Sequence, residues 1–112
     1  MKIREVRDEQ GLTLRFEGPV TGANEPCLRS FQASRLAPPP ARLTFDMTEL
    51  DELDAAATAV LTSLIRELRR QCAVSLRSPP QTLAHTLYKT AALEGAGAVT
   101  IIDPREEEPY AG

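Results

Sequence analysis

The sequence predicts an α/β domain with a mixed, mostly parallel sheet of about five strands and helices, in the order β-β-α-β-α-β-α-β. Three observations predict it. Two short alternating runs open the chain, separated by Asp8-Glu9-Gln10-Gly11, as in a hairpin with a tight turn. Beyond them, short apolar runs alternate with stretches whose apolar positions recur at three- and four-residue steps, which asks for strand–helix–strand units with parallel neighbours. A chain of 112 residues, 42% hydrophobic and 26% charged, supplies one core and has no room for a second domain.

Residues 2–7 and 12–17 are the opening strands, the second marked by Leu12, Leu14 and Phe16 on one face. Residues 24–36 read as a short helix, because Cys27, Leu28, Phe31 and Leu36 fall near helical spacing, Asn24 suits the N-cap and Pro26 the first turn. Pro38-Pro39-Pro40 stops it, since proline cannot donate to the helix ladder and disfavours helix in the residue before it. A strand at 42–47 carries Leu43, Phe45 and Met47 on one face. After an acidic loop at 49–54 comes the clearest helix, starting at Ala55. Its inner positions are Ala57, Val60, Leu61, Leu64, Ile65 and Leu68, with Arg66, Glu67, Arg69 and Arg70 opposite. Asp54 is placed to accept from its first-turn amides, and the basic residues of the last turn complement the helix dipole. A strand at 73–77 follows. Ser78-Pro79-Pro80-Gln81 then has the pattern of a capping box, and a helix over 79–93 turns Leu83, Leu87 and Ala91 inward, with Gly95 or Gly97 at its end. A last strand spans 98–102. One domain is expected over 1–104, with an acidic tail at 105–112 that is expected to fray.

Composition narrows the function. Thirteen basic residues against sixteen acidic ones give a net charge of −3, which argues against binding nucleic acid. The aromatic share of 4% and the absence of Trp require an aliphatic core. The opening residues are charged throughout, unlike a signal peptide, and no stretch approaches the roughly 18 apolar residues of a membrane span. A cytoplasmic location without membrane insertion is expected. Cys27 and Cys72 lack the spacing of a zinc site or a disulfide framework and are expected to be buried or half-buried small hydrophobes. His85, the only histidine, sits two positions from both Leu83 and Leu87 and should face away from the core. There is no GxSxG, no phosphate-binding glycine loop and no histidine–carboxylate metal pair. Glu49, Asp51, Glu52 and Asp54 lack the glycine and ligand order of a calcium loop and read as a solvated acidic loop. No catalytic residue, metal site or cofactor is assigned.

The run Leu43-Thr44-Phe45-Asp46-Met47-Thr48-Glu49-Leu50-Asp51-Glu52-Leu53-Asp54, with the helix after it, resembles the central motif of STAS domains. These form the family of bacterial anti-sigma-factor antagonists and of the tails of sulphate transporters. Asp46 would match the acid at the strand end, and Asp54 the first residue of the motif. Val74-Ser75-Leu76-Arg77-Ser78-Pro79-Pro80, again with the helix after it, looks like the family's fourth strand and third helix. The resemblance implies a STAS fold and a non-catalytic docking role for Asp51, Glu52, Asp54, Ala55, Ala56, Ala57 and Thr58.

Members that act as phospho-switches carry Ser or Thr at the two positions after the aspartate, then Gly, whereas this chain reads Asp54-Ala55-Ala56-Ala57. The resemblance therefore implies that the acceptor hydroxyl is missing at Ala56, which would mimic a permanently unphosphorylated state. It also implies an added methyl at Ala57, where a partner backbone would approach. Thr58 is a substitute acceptor, favoured by the free amides of a helix start and opposed by its reading as a plain helix-surface threonine; Ser63 is another. The implied partner is an anti-sigma factor or kinase-like regulator. The alternative is the ATPase subunit of a bacterial phospholipid-transport ABC complex, with this chain as its small cytosolic STAS subunit. A small-molecule-binding or enzymatic role is the third reading, and self-association into a homodimer stays open.

Overall fold

The computed structural model describes residues 1–90, 92, 93, 95 and 97–102. β1 (Lys2–Asp8) and β2 (Gly11–Val20) form the expected antiparallel hairpin. Its turn is closed by the Asp8 carboxylate, which accepts from the amides of Gln10 (2.7 Å) and Gly11 (3.1 Å). Gly11 adopts φ +133°, and a Cβ there would collide with the Arg42 carbonyl, so only glycine lets β2 begin this close to its neighbour.

The chain continues through a 3₁₀ turn (Gly22–Asn24), α1 (Glu25–Arg35), β3 (Arg42–Asp46), β4 (Leu50–Leu53), α2 (Ala55–Leu68), β5 (Ala73–Arg77), α3 (Gln81–Lys89) and β6 (Thr100–Ile102). The strands lie side by side as β1-β2-β3-β5-β6, all parallel from β2 onward. β4 pairs with the far end of β2, beyond β3.

Alternation along the strands sorts side chains to two faces. Leu12, Leu14, Phe16, Leu43, Phe45, Val74 and Leu76 are buried and meet Leu28 of α1, Leu61, Leu64 and Ile65 of α2, and Leu83 and Leu87 of α3 in one core. Phe16 and Phe45 stack within it at 5.8 Å between ring centroids. The other face carries Thr13, Arg15, Arg42, Thr44, Ser75 and Arg77, none of which belongs to the core.

Several expectations are corrected. The stretch read as an acidic loop holds a strand, β4, because pairing with Gly18, Pro19 and Val20 of β2 outweighs the poor strand propensity of Asp51 and Glu52. The capping box at 78–81 does not form. Pro80 occupies the N-cap position in an extended conformation, ψ 147°, and Ser78 takes φ +52°. Two consecutive prolines delay the helix until both are passed, so α3 begins at Gln81 and ends at Lys89, well short of residue 93. The Asn24 side chain does not cap α1 but closes its own turn, accepting from the Thr21 amide at 2.8 Å. Cys27 is exposed, while Cys72 is half-buried; burial raises its thiol pKa. Ala91 and the tail at 105–112 lie outside the described residues.

Leu61 is fully buried where α2 crosses the sheet, so Leu61→Ala is expected to cost about 3 kcal/mol of stability. Val6→Ala, at a position 51% exposed, should stay within about 0.5 kcal/mol of the parent. Urea unfolding monitored by circular dichroism measures both.

Candidate functional site

The start of α2 is assembled from three segments distant in sequence. β4 runs along the last residues of β2 and delivers Asp54 next to the 3₁₀ turn that leaves β2. The Asp54 amide donates to the Val20 carbonyl at 3.3 Å. Its carboxylate then serves two segments. Oδ1 accepts from the Ala57 amide at 2.7 Å, the N-cap expected from the sequence, and Oδ2 accepts from the Gly22 amide at 3.2 Å, across 32 positions of chain. A Cβ at Gly22 would come within 2.7 Å of the Ala56 Cβ, so the absence of a side chain at 22 lets the 3₁₀ turn lie against the helix.

The expected site residues divide by exposure. Asp51 and Glu52 on β4, and Ala55 and Ala56 on the first turn of α2, are exposed; Asp54 is half-buried. Ala57 is fully buried and Thr58 is 8% exposed. Two expectations are thereby corrected. The Ala57 methyl packs into the core and is not at the surface. Thr58 is not a surface threonine, because its hydroxyl donates back to the Asp54 carbonyl at 2.9 Å and its side chain falls on the inner stripe. Thr62 repeats the device one turn later, donating to the Thr58 carbonyl at 2.7 Å. Ser63 is exposed, with the Arg29 guanidinium donating to its Oγ at 3.5 Å.

Asp46 plays a different part. It is 6% exposed, accepts from the Thr48 amide (3.0 Å) and hydroxyl (2.6 Å), and faces the Arg15 Nε at 3.5 Å. Three partners compensate a buried carboxylate that would otherwise destabilise the fold. It fixes the turn from β3 to β4, and so the path by which Asp54 reaches Gly22. Beside it, Met47, Thr48, Leu50, Leu53, Ser78 and Pro80 line a shallow depression of about 460 Å³ bordered by Asp51 and Glu52.

Sequence reading missed Gly22, Ser78 and Pro80 as members of this surface. The positions of Gly22 and Asp54 are joined by tertiary pairing alone, and Ser78 carried no local sign of its positive φ. His85 is exposed on α3, away from the core. Among the described residues, no group of three or more His, Cys, Asp or Glu could hold a metal ion, and no helix is long and apolar enough to cross a membrane.

The STAS domain profile matches residues 2–104. The chain belongs to the STAS domain family. Its fold is similar to that of the anti-sigma factor antagonist SpoIIAA in its unphosphorylated form, with TM-score 0.66 and 14% identity over 95% of this chain and 92% of that one. An uncharacterized DUF3478-family protein from Shewanella loihica with a SpoIIAA-like fold gives TM-score 0.61 and 20% identity, over 94% and 88% of the two chains. A sulfate transporter family protein from Wolinella succinogenes gives 0.54 and 16%, over 79% and 74%. No curated protein matches the chain. At these identities the likeness is one of fold: a mixed, mostly parallel STAS sheet with three helices.

Asp54→Ala removes the acceptor of two amides at once. It is expected to lower stability by about 1–2 kcal/mol, read as a lower urea midpoint with an unchanged slope.

Proposed function

We propose that this chain is a non-catalytic, cytoplasmic protein-interaction module, an anti-sigma-factor-antagonist-like regulator that lacks the usual phosphoacceptor and stays competent to dock. The observation that carries this reading is the exposed pair Ala55-Ala56 on a helix turn held by Asp54. Small side chains there allow a partner backbone to approach closely, and the first turn sits on a rigid element because Ala57 and Thr58 just behind it are buried. Phospho-regulated relatives would place hydroxyls at this point. A phosphoryl group adds close to two negative charges, and at Ala55 and Ala56 the chain offers no oxygen to carry one.

The surroundings suggest the partner's charge. Asp51 and Glu52 are exposed on β4, the strand that leads into this turn, and Glu25 opens α1. An acidic rim around a small apolar centre suits a partner with a basic surface, for which charge complementarity speeds encounter and screens out acidic competitors.

A second reading keeps the surface and changes the partner: the chain would be the STAS subunit of a bacterial phospholipid-transport ABC complex, gripping its ATPase subunit. Its support is the fold shared with a transporter-family protein.

Affinity purification from the source cells, with the wild-type chain and Ala55→Arg side by side, tests both. Ala55 is exposed and its substitution should leave the circular dichroism spectrum unaltered. Loss of an anti-sigma-factor- or kinase-like protein from the variant supports the first reading, and loss of an ATP-hydrolysing subunit supports the second. Retention of every partner by a folded Ala55→Arg chain removes the basis of both.

A further inference from the structure

We propose that two copies of this chain pair edge to edge through β1, antiparallel and with Val6 on the twofold axis, so that one sheet runs through both. Among the described residues β1 pairs with β2 alone, and no backbone hydrogen bond joins its outer edge to another segment. A strand of seven residues therefore presents an open row of amides and carbonyls to an incoming strand. Val6 lies in this strand with its side chain 51% exposed, an apolar group without a cover.

Charge selects a second copy and sets its register. An edge guarded against pairing carries like charges that repel an incoming strand, whereas β1 carries both signs in the run Arg4-Glu5-Val6-Arg7-Asp8. A twofold axis normal to the sheet keeps the helices of both copies on one side and centres the pairing on a single residue. Centred on Ile3, the pairing sets Lys2 against Arg4. Centred on Arg4 or Arg7 it sets two arginines face to face, and centred on Glu5 two glutamates. Centred on Val6, it sets valine against valine, Glu5 against Arg7 twice and Arg4 against Asp8 twice, so every charge from 4 to 8 meets its opposite. The faces agree as well: Glu5 and Arg7 stand opposite Leu14 and Leu12 of β2, on the helix side, and Arg4, Val6 and Asp8 point to the other side.

Each of the four charged groups keeps capacity for the second copy. Arg7 makes no ion pair among the described residues. Arg4 meets Glu17 through Nε at 3.0 Å, which leaves the terminal nitrogens of its guanidinium. The amides of Gln10 and Gly11 both donate to Oδ1 of Asp8, so Oδ2 remains. Glu5 accepts from Arg35 at Oε2, while its Oε1 is shielded from water and has no hydrogen-bond partner. A guanidinium brought to this carboxylate by Arg7 of the second copy relieves that deficit. Five residues from each copy bury less than the roughly 1,200 Å² of stable interfaces, so the association is weak and reversible.

Sedimentation equilibrium of the full chain, from about 10 μM to about 1 mM, should show monomer and dimer in exchange with Kd on the order of 100 μM. Arg7→Glu sets glutamate against Glu5 twice and should weaken the dimer at least about tenfold. Lys2→Glu makes the same change in net charge outside the paired stretch and should stay within about threefold of the parent. Crosslinking reads the register. In a Cys27→Ser background, which removes the exposed thiol, mild oxidation should link Val6→Cys chains at least about tenfold faster than Arg4→Cys chains. The two residues 6 face each other at about 5 Å, while the two residues 4 are about 14 Å apart. All the substituted positions are exposed, and an unaltered circular dichroism spectrum verifies the fold of each variant. A chain that stays monomeric at the highest concentration, equal weakening by Arg7→Glu and Lys2→Glu, or crosslinking as fast at residue 4 as at residue 6 each overturn the proposal.

Discussion

The Asp54 carboxylate stands between two backbone amides that would otherwise lack a partner, that of Ala57 in the first turn of α2 and that of Gly22 in the turn leaving β2. An N-cap alone fixes where a helix begins. A carboxylate shared with a second segment also fixes what lies beside that beginning. Here the neighbour is a glycine so close that a methyl group would strike Ala56. The exposed surface formed by Ala55 and Ala56 is therefore set by polar contacts beneath it, and the two residues themselves need contribute nothing to the fold.

Everything that brings Asp54 to Gly22 lies in the sheet. The strong alternation of β2, β3 and β5 puts leucines, valine and phenylalanines on one face, and the three helices close over that face alone. β2 is long enough to pair with β3 along its first half and with β4 along its last residues. The turn between β3 and β4 is held by the buried Asp46 with Thr48 and Arg15. One acid thus steers the chain onto the end of β2, and the second secures what arrives there. The same one-sided arrangement leaves a polar sheet face whose rows of hydroxyls and guanidinium groups the core does not use.

Much of this was legible in the sequence, and the exceptions have physical causes. The apolar steps from Ala57 to Leu68 and the alternation of Leu12, Leu14 and Phe16 define the core side without ambiguity, because each repeats the period of its element. Asp54 was readable as a cap, since capping is local. β4 was hidden because Asp51 and Glu52 are poor strand formers whose pairing depends on β2, some thirty positions away. Thr58 looked like a surface residue by its polarity. Its spacing of three and seven from Leu61 and Ile65 was the sign of its burial, and its hydroxyl is satisfied by the carbonyl one turn back. Gly22 could not be found at all, because nothing near it in the chain announces the carboxylate it meets.

Hydrogen exchange at the amides of Gly22 and Ala57, in the wild-type chain and in Asp54→Ala, tests the shared carboxylate most directly. Both amides should be protected in the wild type, and both should exchange faster in the variant by about tenfold, a loss of about 1.4 kcal/mol each. A Gly22 amide that exchanges freely in the wild type while Ala57 stays protected would contradict the account, since the helix start would then be capped without being joined to the turn beside it.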